Sequence, residues 1–335
     1  MKRFKSLAKN IALSALSLLV CFGLCELGLK LAGYGNLEVY DWDPYVYWKL
    51  RPNQDCYTKI NHQPVHINSF GTRGPEFALP KPAGVIRILS LGDSTCFGWG
   101  VGNDETYSRL LEKKLNESRK GGARFEVINA GCNAYGYPQL KSYLKHHGVG
   151  YQADYVLIGS ANLWTDFTEE ASPEFKSSMR KRIVLKNLSR RMALYHFIFE
   201  SQFGGIYHKY RTRFIPVDPT KDKIFTESST NLTDFFAANL KETIQIAQTN
   251  HIKPIVLDFP IDRAGYTNVY FDEILAMRKR VAKDLGIPLI DLDTPDWPPA
   301  QKKVYLEGDY VHLNVLGNQI VAEKITQLFT QLIQP

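Results

Sequence analysis

The spacing of hydrophobic positions changes character along this chain. From Ile11 to Cys25 (IALSALSLLVCFGLC) apolar and small residues run without a charge, and Leu27, Leu29, Leu31 and Ala32 prolong the pattern past Glu26 and Lys30. Residues 34–84 keep no steady period and are rich in aromatics, Asn and Pro (YDWDPYVYWKLRPNQ, then HINSFGTRGPEF). From Val85 onward, short β-branched runs alternate with stretches of helical spacing. The runs VIRILSL (85–91), RFEVINA (124–130), YVLIGSA (155–161), KPIVLDF (253–259) and IPLIDL (287–292) predict strands apolar on both faces, as a parallel sheet covered on both sides requires. Helices are predicted over 105–118, 138–148, 232–249, 268–286 and 315–333.

Strand–helix alternation of this kind predicts an α/β fold, a doubly wound parallel sheet between helical layers. Residues 85–335 form that domain, with an insertion over about 165–250 between the third and fourth strands. Residues 33–84 read as a lead-in with a small hairpin. Active residues of such a sheet belong at the carboxyl ends of its strands. Those ends read GDS (92–94), NAGCN (129–133), GSAN (159–162), DFP (258–260) and DLD (291–293). A further polar segment, EGDYVHLNVLGN (307–318), precedes the last helix.

The amino terminus changes the picture first. Lys2, Arg3, Lys5 and Lys9 precede the apolar run with no acid among them. No small-residue cleavage site follows, because Glu26 and Lys30 stand where one would be, and i,i+4 spacing lets those two pair. Neither Cys21 nor Cys25 has the small neighbour expected before a lipidated cysteine. Residues 10–32 therefore read as an uncleaved transmembrane signal anchor. Residues 1–9 form a cytoplasmic basic tail, and the remainder lies outside the inner (plasma) membrane.

Charge adds less. The net charge is +7 over 335 residues, and part of the excess is local. Residues 176–213 hold ten Lys/Arg against the single acid Glu200, with Phe197, Phe199, Phe203, Tyr207 and Tyr210 among them. Such a stretch can lie on anionic lipid, or it can be the solvated face of a helix. Nothing resembles a zinc or nucleic-acid motif, so no metal, cofactor or nucleic-acid partner is expected. Of the five cysteines, Cys56, Cys96 and Cys132 lie outside the anchor. One pair of them could oxidise, though buried free thiols are favoured.

Candidate chemistry centres on LSLGDSTCFGWGVGNDETY (89–107). Ser94 there could be a nucleophile, part of a phosphate cradle or a turn residue. The glycines Gly98, Gly100 and Gly102 space as G-x-G-x-G rather than G-x-G-x-x-G and sit beyond the strand–turn junction, which disfavours the cradle. A serine hydroxyl needs a base, and the base an orienting carboxylate. Seven histidines, at 62, 66, 146, 147, 196, 208 and 251, read as surface or capping residues. His312 follows Asp309 by three positions in a polar loop, where the carboxylate can reach Nδ1 and leave Nε2 for the serine. An oxyanion hole needs converging donors. Gly131 can bring a backbone N–H close, and Asn162 can supply its side chain.

Taken in order, G-D-S, Gly131, Asn162 and D-x-x-H resemble the GDSL or SGNH hydrolase family. The lead-in HINSFGTRGPEF and the run INAGCNAYGYPQ resemble a membrane-anchored bacterial branch of it. One block departs: the family's G-x-N-D reads SANL here, with Ser160 and Leu163 at the Gly and Asp places. The resemblance implies a flavodoxin-like three-layer α/β/α fold with a five-stranded, mostly parallel sheet. It makes Ser94 the nucleophile, His312 the base with Asp309 behind it, and the Ser94 amide, Gly131 and Asn162 the oxyanion donors. The implied activity is hydrolysis of carboxylic esters, acyl or O-acetyl, on envelope lipids or acylated glycans through an acyl-serine. The alternatives are an envelope O-acyltransferase using the same intermediate, or a non-catalytic envelope protein on the same scaffold.

Overall fold

The computed structural model describes residues 2–118, 121–159, 167–200, 229–262, 269–294, 297 and 303–333. Helix α1 (Lys2–Leu31) comes first. Its Ser6–Leu31 portion is long and apolar enough to cross a membrane, and none of its most apolar window is buried. Glu26 and Lys30 do pair, at 3.3 Å.

Two hairpins follow rather than the single one expected. Strands β1 (Tyr40–Asp43) and β2 (Tyr47–Leu50) pair antiparallel, as do β3 (Gln54–Tyr57) and β4 (Pro64–Ile67). The turn between β1 and β2 is closed by Asp43, whose Oδ1 accepts from the amides of Tyr45 and Val46. Side-chain-to-backbone closure of this type leaves little trace in hydrophobic spacing. A bridge from Arg73 to Asn129 then joins the lead-in to the main sheet.

That sheet holds β5 (Val85–Gly92), β6 (Arg124–Asn129), β7 (Tyr155–Gly159), β8 (Lys253–Asp258) and β9 (Leu289–Asp291). The order across it is β6-β5-β7-β8-β9, and every neighbouring pair is parallel. This is the flavodoxin-like order, whose switch point lies at the carboxyl end of the first strand in the sheet. That strand is β5, and Ser94 follows it.

The central strands β5, β7 and β8 bury both faces because alternate residues enter different cores. Ile88, Leu157 and Ile255 face a core shared with α3 (Tyr107–Glu117) and α8 (Val315–Ile333). Leu89, Val156 and Val256 face the opposite core, built with α4 (Tyr137–His146), α6 (Ser229–Thr249) and α7 (Val269–Asp284). A helix α5 (Pro173–Arg190) from the insertion packs on the β1–β2 hairpin. The structure is thus the expected three-layer α/β/α sandwich. Cys56, Cys96 and Cys132 are free and buried, and burial pushes each thiol up to about 12.

Candidate active site

Ser94 opens a one-turn helix, α2 (Ser94–Phe97), directly after β5. Asp93 caps it, accepting from the Thr95 amide at 2.9 Å. The turn is possible because glycines let backbones meet. A Cβ on Gly92 would overlap the carbonyl oxygen of Gly159, and one on Gly131 would overlap the backbone nitrogen of Phe97. Gly98 ends the helix in the left-handed region, at φ 86°, where a side chain would also strike Thr106.

His312 stands in the loop before α8, three residues after Asp309. Asp309 Oδ1 accepts from the amides of Val311 (2.8 Å) and His312 (2.9 Å), and Oδ2 lies 2.7 Å from His312 Nδ1. Partial burial pushes the Asp309 carboxyl up. The hydrogen bond and charge of His312, with the two amides, outweigh it and hold the group at about 2. An ionised carboxylate only accepts, so Nδ1 carries the hydrogen. Nε2 is then the acceptor for the Ser94 hydroxyl, 2.8 Å away. The Trp99 ring lies 5.9 Å from the imidazole.

Residues 94, 309 and 312 therefore come together as expected, across 218 positions of sequence. Gly131 also lies against α2, but its N–H donates to Asn129 Oδ1 at 3.0 Å, so that amide already has a partner within its own loop. Asn162 lies outside the described residues, as do Ser160 and Leu163. Other histidines have other duties. His147 sits 3.0 Å from Asp43, and His196 Nδ1 accepts from the Gly35 amide. His208 is outside the described residues.

Two supporting side chains were not legible as such. Arg73, buried, donates from its guanidinium to the carbonyls of Phe97 (2.9 Å), Gly98 (2.7 Å) and Val101 (2.7 Å). It thereby gathers carbonyls at the end of α2 and the loop beyond, sharing that of Gly98 with the Val101 amide and that of Phe97 with Asn129. Burial lowers its proton affinity, to about 10, which leaves it charged at neutral pH. Asn129, also buried, donates to the Cys96 carbonyl and to Ser108 Oγ. A conspicuous Arg in GTRG and Asn in NAG were the available signals. Neither says which carbonyls it reaches.

A cavity of about 230 Å³ lies where the loops after β6 and β7 meet α5. Tyr40, Trp48, Asn133, Phe167, Ile183 and Lys186 line it with others. Asn133 Nδ2 donates to Glu38 Oε1 and to the Tyr40 hydroxyl, and Arg190 pairs with the same glutamate at 2.8 Å.

A hydroxyl in hydrogen-bond reach of an imidazole, itself held by a carboxylate, is the constellation needed to activate a serine. The model of the GDSL-like lipase/acylhydrolase family matches residues 90–320. This chain belongs to that family. Among solved structures it is similar to a lipase/acylhydrolase from Enterococcus faecalis (15% identity, 75% of this chain and 98% of that one, TM-score 0.46). It is similar also to the esterase EstA from a Pseudoalteromonas species (13%, 74% and 98%, TM-score 0.45). A third is a GDSL-like lipase from Bacteroides thetaiotaomicron (13%, 77% and 93%, TM-score 0.43). No curated protein matches. Membership of a GDSL-like lipase/acylhydrolase family makes the protein an ester hydrolase. The lead-in that supplies Arg73 falls before the matched residues.

Proposed function

We propose that the protein is a membrane-anchored serine esterase that cleaves acyl or O-acetyl esters of envelope lipids or glycans through an acyl-serine intermediate. The observation that carries this reading is the 2.8 Å contact of Ser94 Oγ with His312 Nε2, with Asp309 2.7 Å behind the same ring. His312 takes the hydroxyl proton as Ser94 attacks the ester carbonyl, and Asp309 stabilises the imidazolium that forms. His312 then gives the proton to the departing alcohol. Water, activated by the same imidazole, releases the acid and restores the serine.

The oxyanion is assigned to the Ser94 amide, Gly131 and Asn162. The Ser94 amide belongs to the first turn of α2, where amides lack helical partners. For Gly131, the reading requires its N–H to turn from Asn129 Oδ1 towards the oxyanion. The cavity beside α5 is the proposed subsite for part of the substrate. At about 230 Å³ it is smaller than a drug-sized ligand pocket, roughly 300 Å³ or more, and suits a short acyl chain or a single ring.

Helix α1 is read as the anchor, with its basic flank in the cytoplasm and the hydrolase domain on the other side of the inner membrane. The basic stretch 176–213 is read as lying near anionic lipid. Turnover of p-nitrophenyl esters from acetate to palmitate, with product analysis for free acid, tests the substrate reading. Preference for acetate points to glycan deacetylation and preference for long chains to lipids. Absence of free acid with every ester contradicts it.

A further inference from the structure

Helix α5 is apolar on two sides. Its inner side is explained: Phe175, Met179, Ile183 and Asn187 turn towards the β1–β2 hairpin and the cavity, and Ile183 is buried. Its outer side is not. Val184, Leu185 and Leu188 are 66%, 69% and 62% exposed among the described residues. With Lys181 they fall at i, i+3, i+4 and i+7, one continuous stripe. Exposed leucines scattered singly need no explanation, but a contiguous stripe on one helix does.

The charges beside the stripe have one sign. From Lys176 to Arg191 the chain holds no acid. Lys176 and Arg190 are used internally, on the Glu169 carbonyl and on Glu38. Arg180, Lys181, Arg182 and Arg191 are exposed beside the apolar stripe, Arg182 at the rim of the cavity, whereas Lys186 turns to the inner side, over the Tyr40 ring. Leucines flanked by cations at helical spacing suit the boundary between acyl chains and anionic headgroups.

The position of the stripe points the same way. Just beyond α5, the amides of Ala193 and Leu194 donate to the two oxygens of Glu26 on α1, at 2.8 and 2.9 Å. The Tyr34 ring meets that of Phe197 at 5.1 Å, and the Gly35 amide donates to His196. The end of α5 is thus fastened to the last turns of the apolar helix, at the level where its first acid after Ile11 appears. Ile198 and Phe199, a few residues further along the chain, are also exposed, at 42% and 44%.

We infer that the outer face of α5, formed by Lys181, Val184, Leu185 and Leu188, seats in the headgroup layer of an anionic bilayer. It holds the domain down against the membrane, with the α5 cavity immediately behind the helix. The inference rests on reading α1 as a membrane anchor and is independent of the ester chemistry.

The test uses the full chain in nanodiscs, on a Cys21→Ser/Cys25→Ser background. Cys56, Cys96 and Cys132 are at most 4% exposed and do not compete for label. A nitroxide is placed by Leu185→Cys. One reference carries it by Leu18→Cys in α1, and another by Lys113→Cys, whose native side chain is 71% exposed. Accessibility to oxygen is compared with accessibility to a water-soluble nickel complex. In discs rich in phosphatidylglycerol, the ratio at 185 is expected several-fold above that at 113 and close to that at 18. It should fall in phosphatidylcholine discs at high salt. A water-like ratio at 185, with position 18 in lipid, overturns the docking and leaves the anchor standing. A water-like ratio at 18 removes the anchor reading and the docking with it. A label at 185 shielded from both reagents in either lipid means that protein covers the face, and also overturns it. Dipolar coupling between two labels would identify the cover as a second copy.

Discussion

The turn that carries Ser94 and the helix α5 both lean on the lead-in, and they are held in opposite ways. Around Ser94, close backbone approach at Gly92 and Gly131 leaves no room for a Cβ. Buried Arg73 collects three carbonyls of the same turn. Along α5, contact with the body is one-sided, through a charged knot of Glu38 and Arg190 and a partly filled cavity. Chemistry that depends on tenths of an ångström sits where the backbone is fixed on several sides, with Ser94 and His312 themselves only half-buried. The wall proposed to accept variable substrate sits where packing is looser. The contrast teaches that the lead-in serves both regions: it fixes one and only borders the other.

That contrast can be broken by substitution, and the largest effects belong to the nucleophile turn. Ser94→Ala and His312→Ala should each lower kcat by about 10⁴–10⁶-fold, and the double variant little further, since members of a triad act as a unit. Steady-state kinetics on p-nitrophenyl acetate measure this, and additive losses would separate the two side chains. Arg73→Ala takes the donor from the Val101 carbonyl, a cost of about 1–3 kcal/mol if it stays unsatisfied, while the Gly98 carbonyl keeps the Val101 amide and the Phe97 carbonyl a 3.4 Å bond from Asn129. It should lower the midpoint of thermal unfolding, and below that midpoint cut kcat by about 10²-fold with KM little changed. Arg73→Lys should restore part of kcat. A loss confined to stability would make Arg73 structural only.

Changes on the α5 side should be smaller and fall on KM. Trp48→Ala and Lys186→Ala are expected to raise KM by about tenfold, the worth of one modest contact, with kcat within about twofold. A fall in kcat as large as that of Arg73→Ala would erase the difference between the two regions. The smallest effect is acid sensitivity. Asp309 is held at about 2, below its unfolded value of about 4. Its contribution to folding is therefore full above about pH 4 and drains as the pH falls towards 2. In Asp309→Asn the curve of thermal midpoint against pH should be flatter over that window than in the parent. An unchanged slope would assign the sensitivity to other acids, Asp43 first, which His147 and two amides also hold at about 2 against the push of burial.

Sequence carried the main sheet because parallel strands buried on both faces leave unbroken apolar runs, as in VIRIL and YVLIG, with glycines and acids marking their ends. It carried Asp309 and His312 because a carboxylate three residues before an imidazole is a local arrangement. It did not carry Arg73 or Asn129. Their partners are carbonyls of Phe97, Gly98, Val101 and Cys96, and backbone groups leave no residue-type signal. The second hairpin is not legible because Asp43 and Thr58 close the two lead-in turns by side-chain bonds to backbone, which hydrophobic spacing does not register. The engaged Gly131 amide belongs to the same class: the Asn129 side chain that reaches it is visible in NAG, its direction is not.

The most direct test of the central claim is covalent capture of Ser94. The purified full-length protein is treated with a fluorophosphonate, and the modified residue is located by peptide mass spectrometry. A single adduct is expected on Ser94, lost in Ser94→Ala and formed far more slowly in His312→Ala. An unreactive parent protein, or an adduct that persists on another residue in Ser94→Ala, would contradict that claim.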